Sequence, residues 1–560
     1  MSSGRSKLVV AVILWLSCGI ATAQQAAPDA GTILRETERA APQPPPPPGA
    51  PILAPESQSP AAAEAGPSLP VAGFRISGNT VFSEAVLLAL VAPSAGGERT
   101  LGDLESAAAR ITAYYRAHGY LIARAYLPEQ EVGDGIVTIA VQEGRYGQTT
   151  LANRSRTHTA VLERYLVPME LGPVLEEHRL ERALLLVQDT AQSAQPATAL
   201  HPGSEPGTSD LDVQIGAVKA ATVRVEADDY GIRATGQDRI GGSLELDNPV
   251  GIGDTFDAHL LTTTAHEQDY GRLAYGLPLG GDGVRVQAAY ADSFYRLGEH
   301  FAALDAAGGA HIATLGLTYP ALRTLRANLI AEVGVDWKRL EDDVESVDTV
   351  NPRSNWVLRA GVHGDHWSTS GGATTVAWSV ESGDLRLESA MERTLDAEGP
   401  QTAGRYFKST LIATRLQPLD AHDVFYLSVS GQWGSKNLDT AEQMSLGGPY
   451  GVRAYPVSEA VGDEAYIFTA ELRRSLPEIK LPGPLTGILF ADTGGIRVNV
   501  RPYGASANSR YLSGAGAGLA WAEGEHWSLR ASYAHRLGAS RSVSTPDRPG
   551  RVWAELAAQF

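Results

Sequence analysis

Few side chains in this sequence have types and spacings suited to chemistry, and most of those have a plainer reading. His363 and His366, in HGDHW, could ligate a metal. Three apart at the end of a strand, they face opposite sides and cannot readily chelate one ion, so loop or interface histidines fit better. The run GAGAG (514–518) superficially resembles a phosphate loop, but it lacks the third glycine position and a following helix. Small residues in a tightly coiled strand account for it. No G-x-S-x-G nucleophile elbow occurs. Two charged residues then stand out in glycine-bearing motifs: Arg453 in GGPYGVRAYP (447–456) and Asp492 in FADTG (490–494). By charge and spacing alone they read as an exposed loop arginine and an ordinary acid. No catalytic constellation, metal site or cofactor site is expected.

The elements that would position these residues begin with an export signal. Arg5 and Lys7 precede an uncharged apolar run (8–20), and Ala21-Thr22-Ala23 supplies small residues at a cleavage position. Residues 1–23 therefore read as a signal peptide, with Gln24 starting the mature chain. The run is too short to span a bilayer. Cys18 is the single cysteine of the 560 residues, and Trp15-Leu16-Ser17 is a poor lead-in for a lipoprotein. A mature chain without thiols excludes disulfide scaffolds, thiolate metal sites and cysteine nucleophiles. The net charge of −18 excludes a nucleic-acid partner, whose recognition needs a basic face.

Four zones follow. In residues 24–41 the stretch DAGTILRETER (29–39) suits a helix capped by Asp29, with Ile33 and Leu34 apolar. Residues 42–70 are proline-rich, a semi-rigid tether of about 3 Å per residue and roughly 80 Å at most. A helix on such a tether is either disordered or a movable plug. Residues 71–145 have a β-α-α-β-β rhythm: a strand at Phe74-Arg75-Ile76, a helix opened by Ser83, a second with Leu104, Ala108, Ile111 and Tyr115 on one face and stopped by Gly119, then two strands. Residues 146–218 repeat that rhythm.

Residues 219–560 alternate throughout, giving about sixteen strands, starting near Thr222, Arg239, Asp254, Tyr270, Val284, His311, Arg326, Asn355, Ala373, Arg405, Asp423, Glu464, Leu485, Arg510, Trp527 and Arg551. Leu529, Ala531 and Tyr533 oppose Ser528, Arg530 and Ser532, and Phe468, Ala470 and Leu472 oppose Thr469, Glu471 and Arg473. A soluble sandwich would alternate too, but the connectors decide. Short turns (280–283, 321–325, 368–372, 420–423) alternate with long polar loops (296–309, 340–353, 384–403, 434–463), as in an outer-membrane barrel. In RVWAELAAQF, Val552, Ala554, Leu556, Ala558 and the terminal Phe560 share one face, the usual closing strand. Trp337, Trp356, Trp367, Trp433, Tyr466 and Trp527 fall near strand ends, where interfacial girdles sit. Parity puts Phe490 and Asp492 opposite Leu489 and Ala491, toward the lumen.

On these motifs, and on GYLIARAYLPEQ (119–130), VQEG (141–144), LHPGSEPGTSDLDVQI (200–215) and DDYGIRATGQDRIGGSLELDNPVGIGDTF (228–256), the chain resembles the two-partner secretion transporters. This is the TpsB family, of the haemolysin and filamentous-haemagglutinin transporter type, within the superfamily of barrels carrying periplasmic POTRA domains. The resemblance implies a mostly β protein with small α/β modules: a plug helix, two POTRA domains and a 16-stranded transmembrane barrel in the outer membrane. It implies secretion, without ATP, of a large β-helical TpsA-type exoprotein whose secretion domain the POTRA domains bind. Outer-membrane lipids and the barrel-assembly machinery are the other implied partners, the latter reading Phe560 as the C-terminal signal. In such proteins the loop at 434–463 folds into the barrel, with Gly447, Gly448, Gly451, Val452 and Tyr455 shaping it. Arg453 at its tip pairs with Asp492, in the barrel motif that includes Phe490 and Gly494. A bidentate carboxylate is what a guanidinium in a lumen needs. Ala454 departs from the common glycine after the arginine. An insertase of the same architecture usually carries three or more repeats, where this chain has room for two, and a passive porin leaves the front end unexplained.

Overall fold

The computed structural model describes residues 27–39, 45, 47–49, 68–170, 174–193, 195–205, 207–504, 507–544 and 546–560. The signal segment and nearly all of the tether lie outside the described residues. Helix α1 (Ala30–Glu38) begins where Asp29 accepts a hydrogen bond from the Thr32 amide, satisfying one of the open N–H groups of its first turn.

The first unit contains β1 (Ser68–Pro70), β2 (Gly73–Ser77), α2 (Glu84–Val91), β3 (Glu98–Thr100), α3 (Leu101–Ala117), β4 (Arg124–Tyr126) and β5 (Ile136–Gln142). Its sheet runs β2-β5-β4, with β2 and β5 parallel. The tether expected to reach Pro70 gives up its last three residues, which pair with β3. Proline is tolerated there because the pair is a two-stranded edge. Leu104, Ala108, Ile111 and Tyr115 of α3 are all buried, and a Thr100–Asp103 capping box starts that helix. Glu143 explains VQEG: its carboxylate takes the amides of Thr80 (2.6 Å) and Val81 (2.8 Å) and the Tyr115 hydroxyl (2.8 Å).

The second unit holds β6 (Arg145–Asn153), α4 (Thr159–Glu170), α5 (Glu177–Ala191), β7 (Ala197–Pro202) and β8 (Thr208–Ile215), in the order β6-β8-β7. It sits on the near rim of the barrel. Arg323 forks onto Asp189 (2.8 and 2.7 Å), and the Leu325 amide donates to Glu181 (2.7 Å).

The barrel wall begins with β9 (Ala221–Asp228), β10 (Arg239–Asp247), β11 (Thr255–Thr263), β12 (Gln268–Leu279), β13 (Val284–Arg296) and β14 (Ala306–Arg323). Next come β15 (Ala327–Val344), β16 (Thr349–Trp367), β17 (Ala373–Leu387), then α6 (Ala390–Glu398), β18 (Gly404–Pro418) and β19 (Asp423–Gly434). A long loop carries β20 (Met444–Ser445) and β21 (Val461–Gly462). The wall resumes with β22 (Glu464–Ser475), β23 (Leu485–Arg497), β24 (Ser509–Glu523), β25 (Trp527–Arg536) and β26 (Gly550–Gln559). Sixteen antiparallel strands close, β26 pairing with β9.

The wall turns Leu358, Leu489 and Val552 outward and buries Glu471, Asp492 and Trp553 inside. Toward the far rim Tyr290, Trp356, Phe407, Trp433, Tyr466 and Tyr511 point outward as a girdle. Phe560 faces outward at the near rim, its amide bonded to the Val223 carbonyl (2.9 Å). The largest difference from expectation is the loop at 340–353, of which only residues 345–348 lie between strands. Its polar residues extend β15 and β16 instead, because Asp342 and Arg353 point inward and pair. His363 and His366 lie on β16 in opposite orientations. Among the described residues no group of three His, Cys, Asp or Glu could hold a metal ion.

Candidate functional site: a lid and a plug in the lumen

The loop at 434–463 folds into the lumen as a lid. A β20–β21 ladder starts it, and the Gly447 amide donates to Glu459 O (3.1 Å). The turn then tightens: Val452 N donates to Leu446 O (2.7 Å) and Gly448 N to Tyr455 O (3.1 Å). Glycines are required here by space. A Cβ on Gly447 would lie 2.0 Å from Pro456 O, one on Gly451 2.0 Å from Leu446 O, and Gly448 has φ +100°. Val452 and Tyr455 are fully buried, and the Tyr455 hydroxyl donates to Ser540 O (2.9 Å).

Arg453 forms the tip. Its Nε and Nη2 fork onto Asp492 (2.8 and 2.7 Å), Nη1 donates to Glu471 (2.7 Å), and its amide reaches Asp492 (3.2 Å). The guanidinium lies 3.5 Å from the Phe490 ring centroid, and Trp553 Nε1 donates to Arg453 O (2.7 Å). Thus Arg453, Asp492 and Phe490 come together. Gly494 lines the same wall, where a Cβ would come within 3.1 Å of Leu446 of the lid. Glu471, Trp553 and Gly514 belong to this constellation and escaped the sequence reading. Parity alone could have found Glu471, since it points inward beside Thr469. GAGAG has a packing role: a Cβ on Gly514 would lie 2.6 Å from the Ala454 methyl, and one on Gly516 2.6 Å from Phe490.

Two further ion clusters hold the lid's descending limb. The Glu442 carboxylate, with no exposed side-chain surface, sits between Lys338 (2.7 Å) and Lys408 (2.6 Å) and accepts from Asn355 (3.1 Å). Arg353 gathers Asp439 of the lid (2.9 Å), Asp29 ahead of the plug (2.9 Å) and Asp342 of the wall. Neither was legible in the sequence, because each joins residues tens to hundreds of positions apart.

Helix α1 lies in the lumen beside the lid, with Ile33 and Leu34 packed among Tyr230, Tyr295 and Leu340. Its wall bonds are fewer: Arg353 to Asp29 (2.9 Å), Ala30 N to Asp342 (2.7 Å), Gln268 to Thr37 (2.6 Å) and Tyr270 to Glu38 (3.3 Å). Most of its polar contacts go to the lid. Arg35 donates to Thr440 O (2.6 Å), Thr440 to Asp29 (2.6 Å) and Ser445 to Glu36 (2.6 Å). Arg39 caps Gly447 O and Tyr450 O, both at 3.0 Å. Gly31 abuts Ala441 so closely that a Cβ would meet its amide nitrogen at 2.5 Å.

A closed barrel stoppered by a tethered helix and an inward lid is a transporter's geometry. The haemolysin secretion/activation protein family ShlB/FhaC/HecB matches residues 207–521. The chain belongs to this family. The ShlB-type POTRA domain matches residues 69–144. The protein is therefore a two-partner secretion transporter of the outer membrane, its POTRA domains in the periplasm, and it secretes a large partner exoprotein. The transporter is 26% identical over 469 residues to the heme/hemopexin transporter protein HuxB of Haemophilus influenzae (strain 86-028NP), covering 83% of this chain and 82% of that one. It is 25% identical over 441 residues to the outer membrane transporter CdiB of Dickeya dadantii, covering 77% and 76%. The solved structure of CdiB from Escherichia coli shares the fold, with a TM-score of 0.73 at 21% identity over 100% of this chain and 99% of that one.

Proposed function

We propose that this transporter rests closed, held by three separate ion locks, and opens for one exoprotein of the adhesin or haemolysin type. The observation that carries the reading is the double closure, in which the lid is pinned to the wall across the lumen and α1 sits beside it, bonded more to the lid than to the wall. The units at 71–145 and 146–218 capture the cargo's unfolded secretion domain by adding a strand to a sheet edge. The helix at 24–41 then leaves on its tether (42–70), Arg453 parts from Asp492, and the cargo threads the barrel (219–560) extended. Folding outside drives export, since a folded β-rich product cannot slide back, and no catalytic centre takes part. Residues 1–23 direct the chain to the periplasm, and the strand ending in Phe560 is read by the barrel-assembly machinery. The test is secretion of a co-expressed exoprotein by a chain lacking residues 71–144. Export should stop while the barrel still inserts, and continued export would overturn the reading.

A further inference from the structure

Beyond the pore, the outer surface of the wall carries a charged band at the far rim that neither the lid nor the plug uses. The register gives its layout. Arg339 of β15 and Arg386 of β17 both lie directly opposite Ser354 of β16, one from each side. With strands about 4.8 Å apart, the two backbones are roughly 10 Å from each other. Arg405 of β18 is opposite Asp384, two residues from Arg386, a diagonal spacing of about 7–8 Å. All three share the outward parity of Trp356 and Phe407, and inward-facing Arg353 and Lys408 have the other parity.

Height on the barrel is equally defined. Two residues closer to the bilayer centre, Trp337 pairs with Trp356, an aromatic pair at girdle level. Below it the outward face is apolar, with Leu315, Val333 and Leu358 all exposed. Arg339 and Arg386 therefore stand just outside the hydrocarbon margin, where headgroups begin, and Arg405, opposite Asp384, lies in the row of the tryptophan pair.

Their present partners hold them weakly. Arg405 makes no hydrogen bond or ion pair with the described residues. Arg386 lies 3.6 Å from Asp384 with 70% of its side chain exposed, and Arg339 lies 3.6 Å from Glu388 with 43% exposed. Exposed pairs of this kind contribute about 0–1 kcal/mol. A phosphate would take the same forks with better geometry and more charge. Elsewhere on the same margin Arg497 is engaged by Glu464 at 3.2 Å.

We propose that Arg339, Arg386 and Arg405 form a binding site for the phosphate groups of an outer-leaflet lipid headgroup, its acyl chains lying along the face below Trp356. Spacings of about 7–10 Å suit a headgroup bearing two separated phosphates better than a single small anion.

The test uses the full chain, folded in mixed micelles and checked by the heat-dependent gel mobility of an intact barrel. It is titrated with a diphosphorylated glucosamine-disaccharide lipid and with the same lipid stripped of phosphate, and bound lipid is counted by native mass spectrometry. Near a charged surface each arginine contributes about 1 kcal/mol, or roughly fivefold in affinity. The double variant Arg386→Gln/Arg405→Gln should bind the phosphorylated lipid about 25-fold more weakly, while Arg497→Gln binds as wild type. Equal binding of the two lipids, or an unaffected double variant, would overturn the site. Full displacement by inorganic phosphate at equal concentration would overturn the headgroup assignment in favour of a simple anion site.

Discussion

Substituting Arg453 by alanine should free the lid tip without unfolding the barrel. The arginine makes three charged side-chain hydrogen bonds at 2.7–2.8 Å, two to Asp492 and one to Glu471. Its loss is asymmetric. Glu471 keeps Arg473 at 2.7 Å, whereas Asp492, 2% exposed, keeps no cation, only the Thr469 hydroxyl at 3.1 Å and the backbone amide of residue 453 at 3.2 Å. Breaking a buried pair by removing one partner costs about 3–5 kcal/mol, largely from the charge left behind. At about 1.4 kcal/mol per factor of ten, the open tip gains at least roughly a hundredfold in population. The wall stays paired around its circumference, and Glu442 and Arg353 still hold the descending limb, so only the tip moves. Because the single cysteine, Cys18, lies in the segment expected to be removed, Val452→Cys gives one thiol at a fully buried tip position. Maleimide labelling of that thiol should accelerate about a hundredfold when Arg453→Ala is added, and secretion should fall severely. Asp492→Asn should have a smaller effect, since Glu471 still holds the arginine. Unchanged labelling together with wild-type secretion would refute the lock.

Deleting residues 30–38 should raise single-channel conductance in planar bilayers, and an unchanged conductance would mean that α1 does not obstruct the pore. Glu442→Gln should raise conductance little on its own and much more in the helix-deleted chain, because α1 covers the limb that Glu442 anchors; equal increases in both backgrounds would contradict this order. Burial opposes ionisation of Glu143, but hydrogen bonds from Thr80, Val81 and Tyr115 outweigh it and hold its carboxyl below the usual range. Its stabilisation is full above the unfolded pKa of about 4.3 and fades as pH falls through the lower folded value. Hydrogen exchange of residues 71–145 in the full chain should lose protection in that acid window, and Glu143→Gln should flatten the dependence; equal slopes would argue against the assignment. Gly514→Ala should loosen the lid by about 1–3 kcal/mol through overpacking, and adding Ala454→Gly should restore it, as read by the same thiol-labelling rate.

Period-two alternation made the barrel legible, because each wall residue meets lipid or lumen and little else. The strands expected near Val284, Ala373, Asp423 and Trp527 begin at those residues. Legibility failed where the wall rises out of the bilayer. There polar residues no longer mark a loop, so β14 and β16 begin five and six residues before the expected His311 and Asn355. For the site, the glycine-flanked motifs singled out Arg453 and Asp492. Glu442, Lys338 and Lys408 carry no motif, and three-dimensional proximity alone unites them. The helix was readable from Asp29 and the Ile33-Leu34 pair, but its place against the lid was not, since that depends on backbone carbonyls such as Gly447 O and Tyr450 O.

The Ala454–Gly514 contact also constrains how this chain can change over generations. The gap between lid tip and β24 holds one methyl group, at position 454 or at 514 but not at both. A lineage moving from one arrangement to the other must pass through a double glycine, which leaves a small void, or a double alanine, which clashes. The void is the milder fault, so exchange should proceed by losing the methyl on one side before gaining it on the other. The two positions are thus inherited as a single character.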